Sequence, residues 1–178
     1  MQQIHDIIII GGGMTGLSAA VCAGAAELDV LVIDRSERPG GLLLNEEMIN
    51  SYPALPKISG EELVSMIREH CELLGVRFVS ADAESIETDD AIKSVWAGRK
   101  EFTATAVLIA AGSSVSGFAP DLSIERTGEG LIKAGSDCRT SCAFVYAAGN
   151  ARCASVSGIL EAASEGENSI KSFLEDIK

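Results

Sequence analysis

Four consecutive isoleucines, Ile7 to Ile10, run directly into Gly11, Gly12 and Gly13, and this junction limits the possible folds more than any other stretch of the chain. A continuous β-branched run reads as a strand buried on both faces. The glycines behind it read as a tight turn, because glycine reaches positive φ without a steric penalty. Gly11, Gly13 and Gly16 have the spacing G-x-G-x-x-G. In such a fingerprint Gly11 allows the turn, Gly13 lets a diphosphate approach bare backbone, and Gly16 lets the next helix pack tightly on the strand. The phosphates would rest on the helix N-terminus, where unpaired N–H groups and the helix dipole favour negative charge.

A lone fingerprint is weak, so its surroundings decide. Met14 to Glu27 reads as a helix with Leu17, Ala20, Val21 and Gly24 on one packed face, and a second apolar strand, Val30 to Ile33, ends in Asp34. An acid at that place is where a ribose hydroxyl pair needs an acceptor. The run Ile7 to Ala26 is twenty uncharged residues long, enough to span a bilayer. Glycines in its middle and the lack of basic flanks argue against both a spanning helix and a secretory signal.

At 178 residues the chain suits one domain, and its net charge of −12 repels nucleic acid and anionic lipid. Neither nucleic acid nor membrane is expected as a partner. The odd cysteine count, five, points to a reducing cytoplasm rather than a disulfide framework.

Arg35 to Ile58 has no long periodic run and reads as a loop with a task. Its Gly40-Gly41 pair either lets backbone lie against a flat ligand or makes a simple turn, and Tyr52 is either beside that ligand or a core anchor. Ser59-Gly60-Glu61-Glu62 fits a capping box, followed by an apolar stripe of Leu63, Met66, Ile67, Cys71 and Leu74 before Gly75. Cys71 is expected in the core, and neither His70 nor His5 is a strong catalytic candidate. Val76 to Val79 reads as a third parallel strand. Short alternating runs near 85–88, 92–97 and 101–105, parted by Asp89-Asp90 and Gly98, read as an antiparallel meander. Ala106 to Ala110 reads as a separate central strand, and Ser113 to Gly130 as a linker or surface loop. A short strand is expected at Leu131 to Ala134, a last one at Phe144 to Ala148, and a final helix from Ser157 to about Ile177. The fold class is therefore α/β, a Rossmann-type three-layer fold with a mostly parallel sheet and a small antiparallel meander.

Taken in order, IIIIGGGMTGLSAA, VLVIDRSERPGG, NSYPAL, AVLIAAG, RTSCAFVYAAGN and EAASEGENSI resemble the FAD domain of thioredoxin reductases, in the pyridine nucleotide-disulfide oxidoreductase family. These blocks cover most of the chain. The resemblance implies a cofactor, FAD, with its pyrophosphate on Gly11, Gly12, Gly13, Met14, Thr15 and Gly16. It implies the adenosine ribose on Asp34 beside Arg35, and the flavin side lined by Gly40, Gly41 and Leu42, with Ser51 near the ring edge. Ala83 would offer backbone to the adenine, and Ala111 and Gly112 would close over the cofactor. Gly149 and Asn150 would meet the ribityl chain or pyrophosphate, and Gly158 and Ile159, opening the last helix, would approach the flavin pyrimidine. Homodimerisation is implied by the resemblance alone.

The chain also departs from the family pattern. Leu42 and Gly158 stand where the family has glutamine, Ser51 where it has asparagine, and Asn150 where it has aspartate, so each change alters a polar contact to the cofactor. The family's inserted nicotinamide domain, which needs on the order of 100 residues, would fall where this chain has only 113–130, and no C-x-x-C is present. Cys138, Cys142 and Cys153 are either a substitute dithiol relay or ordinary apolar loop residues. With neither histidine near them in sequence, metal binding is not expected. The resulting expectation is a single-domain flavoprotein oxidoreductase over residues 1–178, its electrons coming from a redox partner protein or from free NAD(P)H. The competing reading is a non-catalytic FAD-binding module of a larger assembly. A small NAD-binding protein is disfavoured, since NAD would need neither the Gly40-Gly41 loop nor the closing A-A-G-N strand.

Overall fold

The isoleucine run forms the inner strand of a seven-stranded sheet. In a computed structural model, which describes residues 3–88, 91–118, 122–153, 156 and 158–178, β1 (Ile4–Ile10) lies parallel to β2 (Val30–Asp34) on one side and β6 (Lys100–Ile109) on the other. Beyond β2 comes β3 (Arg77–Ser80), also parallel. On its other edge β6 pairs antiparallel with β5 (Lys93–Ala97) and, further along, parallel with β7 (Val145–Ala147). The antiparallel strand β4 (Ala83–Glu87) completes the order β3-β2-β1-β6-β5-β4.

All four isoleucines are apolar because both faces of β1 are covered. Ile7 and Ile9 pack with Ala19, Ala20 and Ala23 of α1 (Met14–Ala25), Cys71 of α2 (Gly60–Leu73), and Ile170 and Phe173 of α3 (Ile159–Asp176). Ile8 and Ile10 pack with Ile86 and Val95 of the meander and with Val115, Leu122, Ile124 and Ile132. The layers are thus helices, parallel sheet, and meander with its adjoining loop. Each fully buried isoleucine contributes about 2–3 kcal/mol relative to exposure.

Several elements differ from expectation. The run at 101–105 and the strand at 106–110 are one strand, β6, whose first half pairs with β5 and whose second half pairs with β7. Its alternating and continuous halves reflect a change of neighbour, not a break in the chain. Helix α1 ends at Ala25, and Glu27 turns the chain at φ 61°. In α2 the capping box forms, with Ser59 Oγ accepting from Glu62 N at 3.2 Å and Glu62 Oε2 accepting from Ser59 N at 3.0 Å. The stripe is rotated, however: Val64 is buried while Met66 is 51% exposed. The expected strand at 131–134 is reduced to a single bridge between Arg126 and Ile132. Within the expected surface loop at 113–130, Val115, Leu122 and Ile124 are core residues, three well-spaced apolar side chains that an average over a polar stretch conceals. The Asp89-Asp90 turn and the helix start at Ser157 lie outside the described residues. Among the described residues no helix is long and apolar enough to cross a membrane.

Candidate functional site

The site is built at the C-terminal ends of the parallel strands, where β1 hands over to α1. Gly11 turns at φ +104° and donates its N–H to Ile33 O at 2.8 Å. A Cβ on Gly16 would clash with the Gly11 carbonyl, so α1 can start this close to the turn only with glycine there. Gly13 is the N-cap, and no side chain caps the helix. A Cβ on Gly13 would meet no atom within 4 Å. There is thus room for a group beside Gly13 at the uncapped, positive end of α1.

Backbone from three other loops converges on this end. Ala111, just after β6, lies against Gly11; a Cβ on Gly41 would sit 3.1 Å from Gly13 Cα; and Gly149, at φ +65°, rests on the Thr15 side chain. Asp34 ties β2 to the turn: its Oδ2 accepts from Gly12 N at 2.6 Å and its Oδ1 from Ser36 N at 2.8 Å. A carboxylate has about four acceptor sites, which leaves capacity for a sugar hydroxyl. Arg35 donates to Ser114 Oγ at 3.0 Å, close to Gly112 in sequence, and the Asp34 carbonyl accepts from Ala81 N at 2.9 Å, which brings the start of β4 and Ala83 towards the same strand end. Ile159, directly after Gly158 at the N-terminus of α3, packs with the cluster that contains Met14. Gly11–Gly16, Asp34, Gly40, Gly41, Ala111, Gly149 and Ile159 are thus gathered around one helix end. Leu42, at 74% exposure, and Ser51 are exposed. An open, uncapped helix end ringed by backbone suits the diphosphate of a dinucleotide such as FAD.

Two residues of the site escape sequence reasoning. Glu165 of α3 accepts from Gly149 N at 2.9 Å and from Arg152 Nε at 2.7 Å, and forms an ion pair with the Arg152 guanidinium; the two side chains are only 12% and 16% exposed. The one available signal is an acid directly before Gly166, where a Cβ would come within 2.9 Å of Ala19 N, so that α3 lies almost in contact with α1. Asn150, expected as a cofactor contact, has its side-chain amide facing the carbonyls of Cys153 (3.1 Å) and Val156 (3.2 Å), so the amide orientation that satisfies both turns its NH2 group towards them. An aspartate could not donate to either.

Tyr52, the two histidines and the buried cysteines lie in structural surroundings. Tyr52 is half-buried against the cluster around Leu43 and Leu63. His70 is exposed, and His5 is buried with Asp29 at 3.2 Å. All five cysteines are free. Burial pushes the thiols of Cys71 and Cys138 up to about 11, so both are protonated near neutrality and poor nucleophiles.

Comparison with known proteins agrees with this geometry. Residues 5–115 match the family described as pyridine nucleotide-disulphide oxidoreductase. The thioredoxin reductase of Bacillus subtilis (strain 168) is 39% identical over 112 residues, covering 63% of this chain and 35% of that protein. The chain thus matches about a third of the length of such curated relatives. Among solved structures, the thioredoxin reductase of Streptococcus pyogenes superposes with a TM-score of 0.90 at 17% identity, over 99% of both chains. A ferredoxin-flavin thioredoxin reductase from Clostridium acetobutylicum superposes with a TM-score of 0.85 at 15% identity, also over 99% of each. With the family matched across β1 to β6 and the fold shared beyond them, the chain belongs to the pyridine nucleotide-disulphide oxidoreductases, as a domain like the FAD domain of thioredoxin reductases.

Proposed function

We propose that this chain binds FAD non-covalently and serves as the flavin-bearing part of a thioredoxin reductase-like oxidoreductase. The observation that carries the reading is the uncapped N-terminus of α1, open at Gly13 and ringed by the loops of Gly41, Ala111 and Gly149. When bound, FAD supplies a two-electron carrier, and the chain supplies orientation and local charge. The N–H groups of Gly13 to Gly16 hold the pyrophosphate, Asp34 with Arg35 holds the adenosine ribose, and Ala83 offers backbone to the adenine. Gly40, Gly41, Leu42 and Ser51 flank the flavin, Ala111 and Gly112 close over the cofactor, and Gly149 and Asn150 meet the ribityl chain or pyrophosphate through their backbone. Gly158 and Ile159 bring the positive end of α3 to the pyrimidine, where reduced flavin carries negative charge.

In this reading residues 1–178 are one FAD domain, and 113–130 replaces the nicotinamide domain. Electrons then come from a separate protein or from free NAD(P)H. A protein donor is consistent with a structural neighbour that is named for a ferredoxin. Cytoplasmic location and homodimerisation belong to the same reading. A second reading is a non-catalytic FAD-binding subunit; the burial of Cys138 takes one of the three relay candidates out of reach, while Cys142 and Cys153 are only half-buried.

The visible spectrum of the purified protein, repeated anaerobically with NADH or NADPH, tests both. A flavin band that bleaches establishes an oxidoreductase that accepts free nicotinamide, and a band that persists directs attention to a protein donor. Protein that neither carries a flavin band nor takes up added FAD refutes FAD binding.

A further inference from the structure

We propose that Glu165 and Arg152 are positioning residues for the cofactor, a matched pair in which Glu165 holds the Gly149 turn in place and Arg152 cancels the charge that Glu165 would otherwise direct at the diphosphate. The proposal rests on the FAD reading above. Gly149 leans on Thr15, the second residue of α1, so its orientation decides where the turn meets any ligand at that helix end. That orientation is fixed from behind. Glu165 Oε2 accepts the Gly149 N–H at 2.9 Å, and Glu165 itself is placed by the close approach of Gly166 to Ala19 and by Ser18 Oγ donating to Ala163 O at 2.9 Å.

A carboxylate is a hazard here. It lies one hydrogen bond from a turn that touches the first turn of α1, well inside the roughly 10 Å screening length at 0.1 M salt, and it is nearly buried, where screening is weaker still. Unpaired, it would repel the diphosphate that the helix end attracts. Arg152, three residues past Gly149, meets it with Nε at 2.7 Å and with a second guanidinium nitrogen, in the fork geometry that suits a carboxylate. The pair as a whole is neutral. Asn150 contributes by staying uncharged while its amide donates to the Cys153 and Val156 carbonyls, so the loop is shaped without a second acid.

The test is equilibrium FAD binding to the apoprotein, followed by flavin fluorescence at low and high salt, for wild type, Arg152→Met, Glu165→Gln and the double variant. Apoprotein melting and far-UV circular dichroism report folding separately. Arg152→Met leaves a bare carboxylate and is expected to weaken FAD about tenfold or more, with partial recovery at high salt. Glu165→Gln keeps an acceptor for the Gly149 N–H and leaves an extra cation, so it is expected to stay within about threefold at 0.1 M salt and to lose affinity more steeply as salt rises. The double variant recovers most of what Arg152→Met loses, which a purely structural role would not produce, because it removes yet more of the native contact. Wild type that binds FAD with Arg152→Met binding equally well, or with the double variant no better than Arg152→Met, overturns the proposal. Should Arg152→Met fail to fold, Glu165→Gln decides alone, and an unchanged salt dependence counts against the pair. Wild type that takes up no FAD overturns the underlying reading instead.

Discussion

Gly13 and Gly16 stand three residues apart in one fingerprint, yet the same substitution should have opposite consequences at the two positions. Space beyond Gly13 is open, and its φ of −75° suits any residue, so Gly13→Val should leave the melting temperature nearly unchanged while abolishing FAD retention. Gly16 faces the Gly11 carbonyl with no room for a Cβ, so Gly16→Val should reduce soluble, cooperatively melting protein before binding can be measured. A Gly13→Val protein that purifies with a full complement of flavin would refute the assignment of the diphosphate to this turn. The thiols give a second residue-level expectation: with Cys71 and Cys138 buried and held protonated, neither should be labelled by a disulfide reagent at neutral pH until denaturant is added. Asp176 gives a third. Hydrogen bonds from Arg139 and from the buried Tyr146 hydroxyl (2.6 Å) keep its carboxyl below the ordinary 3.8. Its contribution is complete above that value and is lost as pH falls through the lower native value. Asp176→Asn should therefore lower the melting temperature at pH 7, with the gap from wild type closing as the solution is acidified below 3.8.

At the scale of elements, α2 is the one whose beginning is written most plainly. Ser59 and Glu62 satisfy each other's backbone N–H groups, and Ser59→Ala should cost about 1 kcal/mol in denaturant unfolding. The same plainness applies to β1, α1 and β2, because the isoleucine run, the fingerprint and Asp34 each state a local requirement that only one arrangement meets. Where neighbours distant in sequence decide the outcome, local pattern is silent. Lys100 to Ile109 changes its alternation halfway because β5 gives way to β7 along one edge, and a short window sees two strands. Met66 fits the helical period of the stripe yet is left outside, while Val64 packs with Leu43, Ile49 and Leu63 in the core. The site divides in the same way: Gly11 to Gly16 and Asp34 are legible as chemistry, whereas Glu165 becomes informative only when Gly166 brings α3 against α1. Asn150 reads in sequence as a lost carboxylate and is, in the fold, a donor with two carbonyl partners.

For the whole molecule, the proposed ligand would be coupled to the fold, since the uncapped end of α1 is met by loops that come after β2, β6 and β7. A ligand that binds only the native state at a hundred times its dissociation constant adds about 2.7 kcal/mol, so saturating FAD should raise the melting temperature of wild type but not of Gly13→Val, a difference scanning calorimetry would resolve. The family membership rests on the stretch from β1 to the loop after β6, and the C-terminal third of the chain is joined to it through β7. That joint has its own consequence. β6 and β7 are parallel neighbours, with Ile109 opposite Ala147 and Val107 opposite Val145, so the chain leaves the sheet at one point and re-enters beside it, headed the same way. The polypeptide between them adds no strand to the parallel ladder and meets β7 through a single antiparallel bridge, Arg139 opposite Tyr146, among the described residues. Under the proposed function, a splice made there would exchange an attached donor for a visiting one and leave the chassis in place.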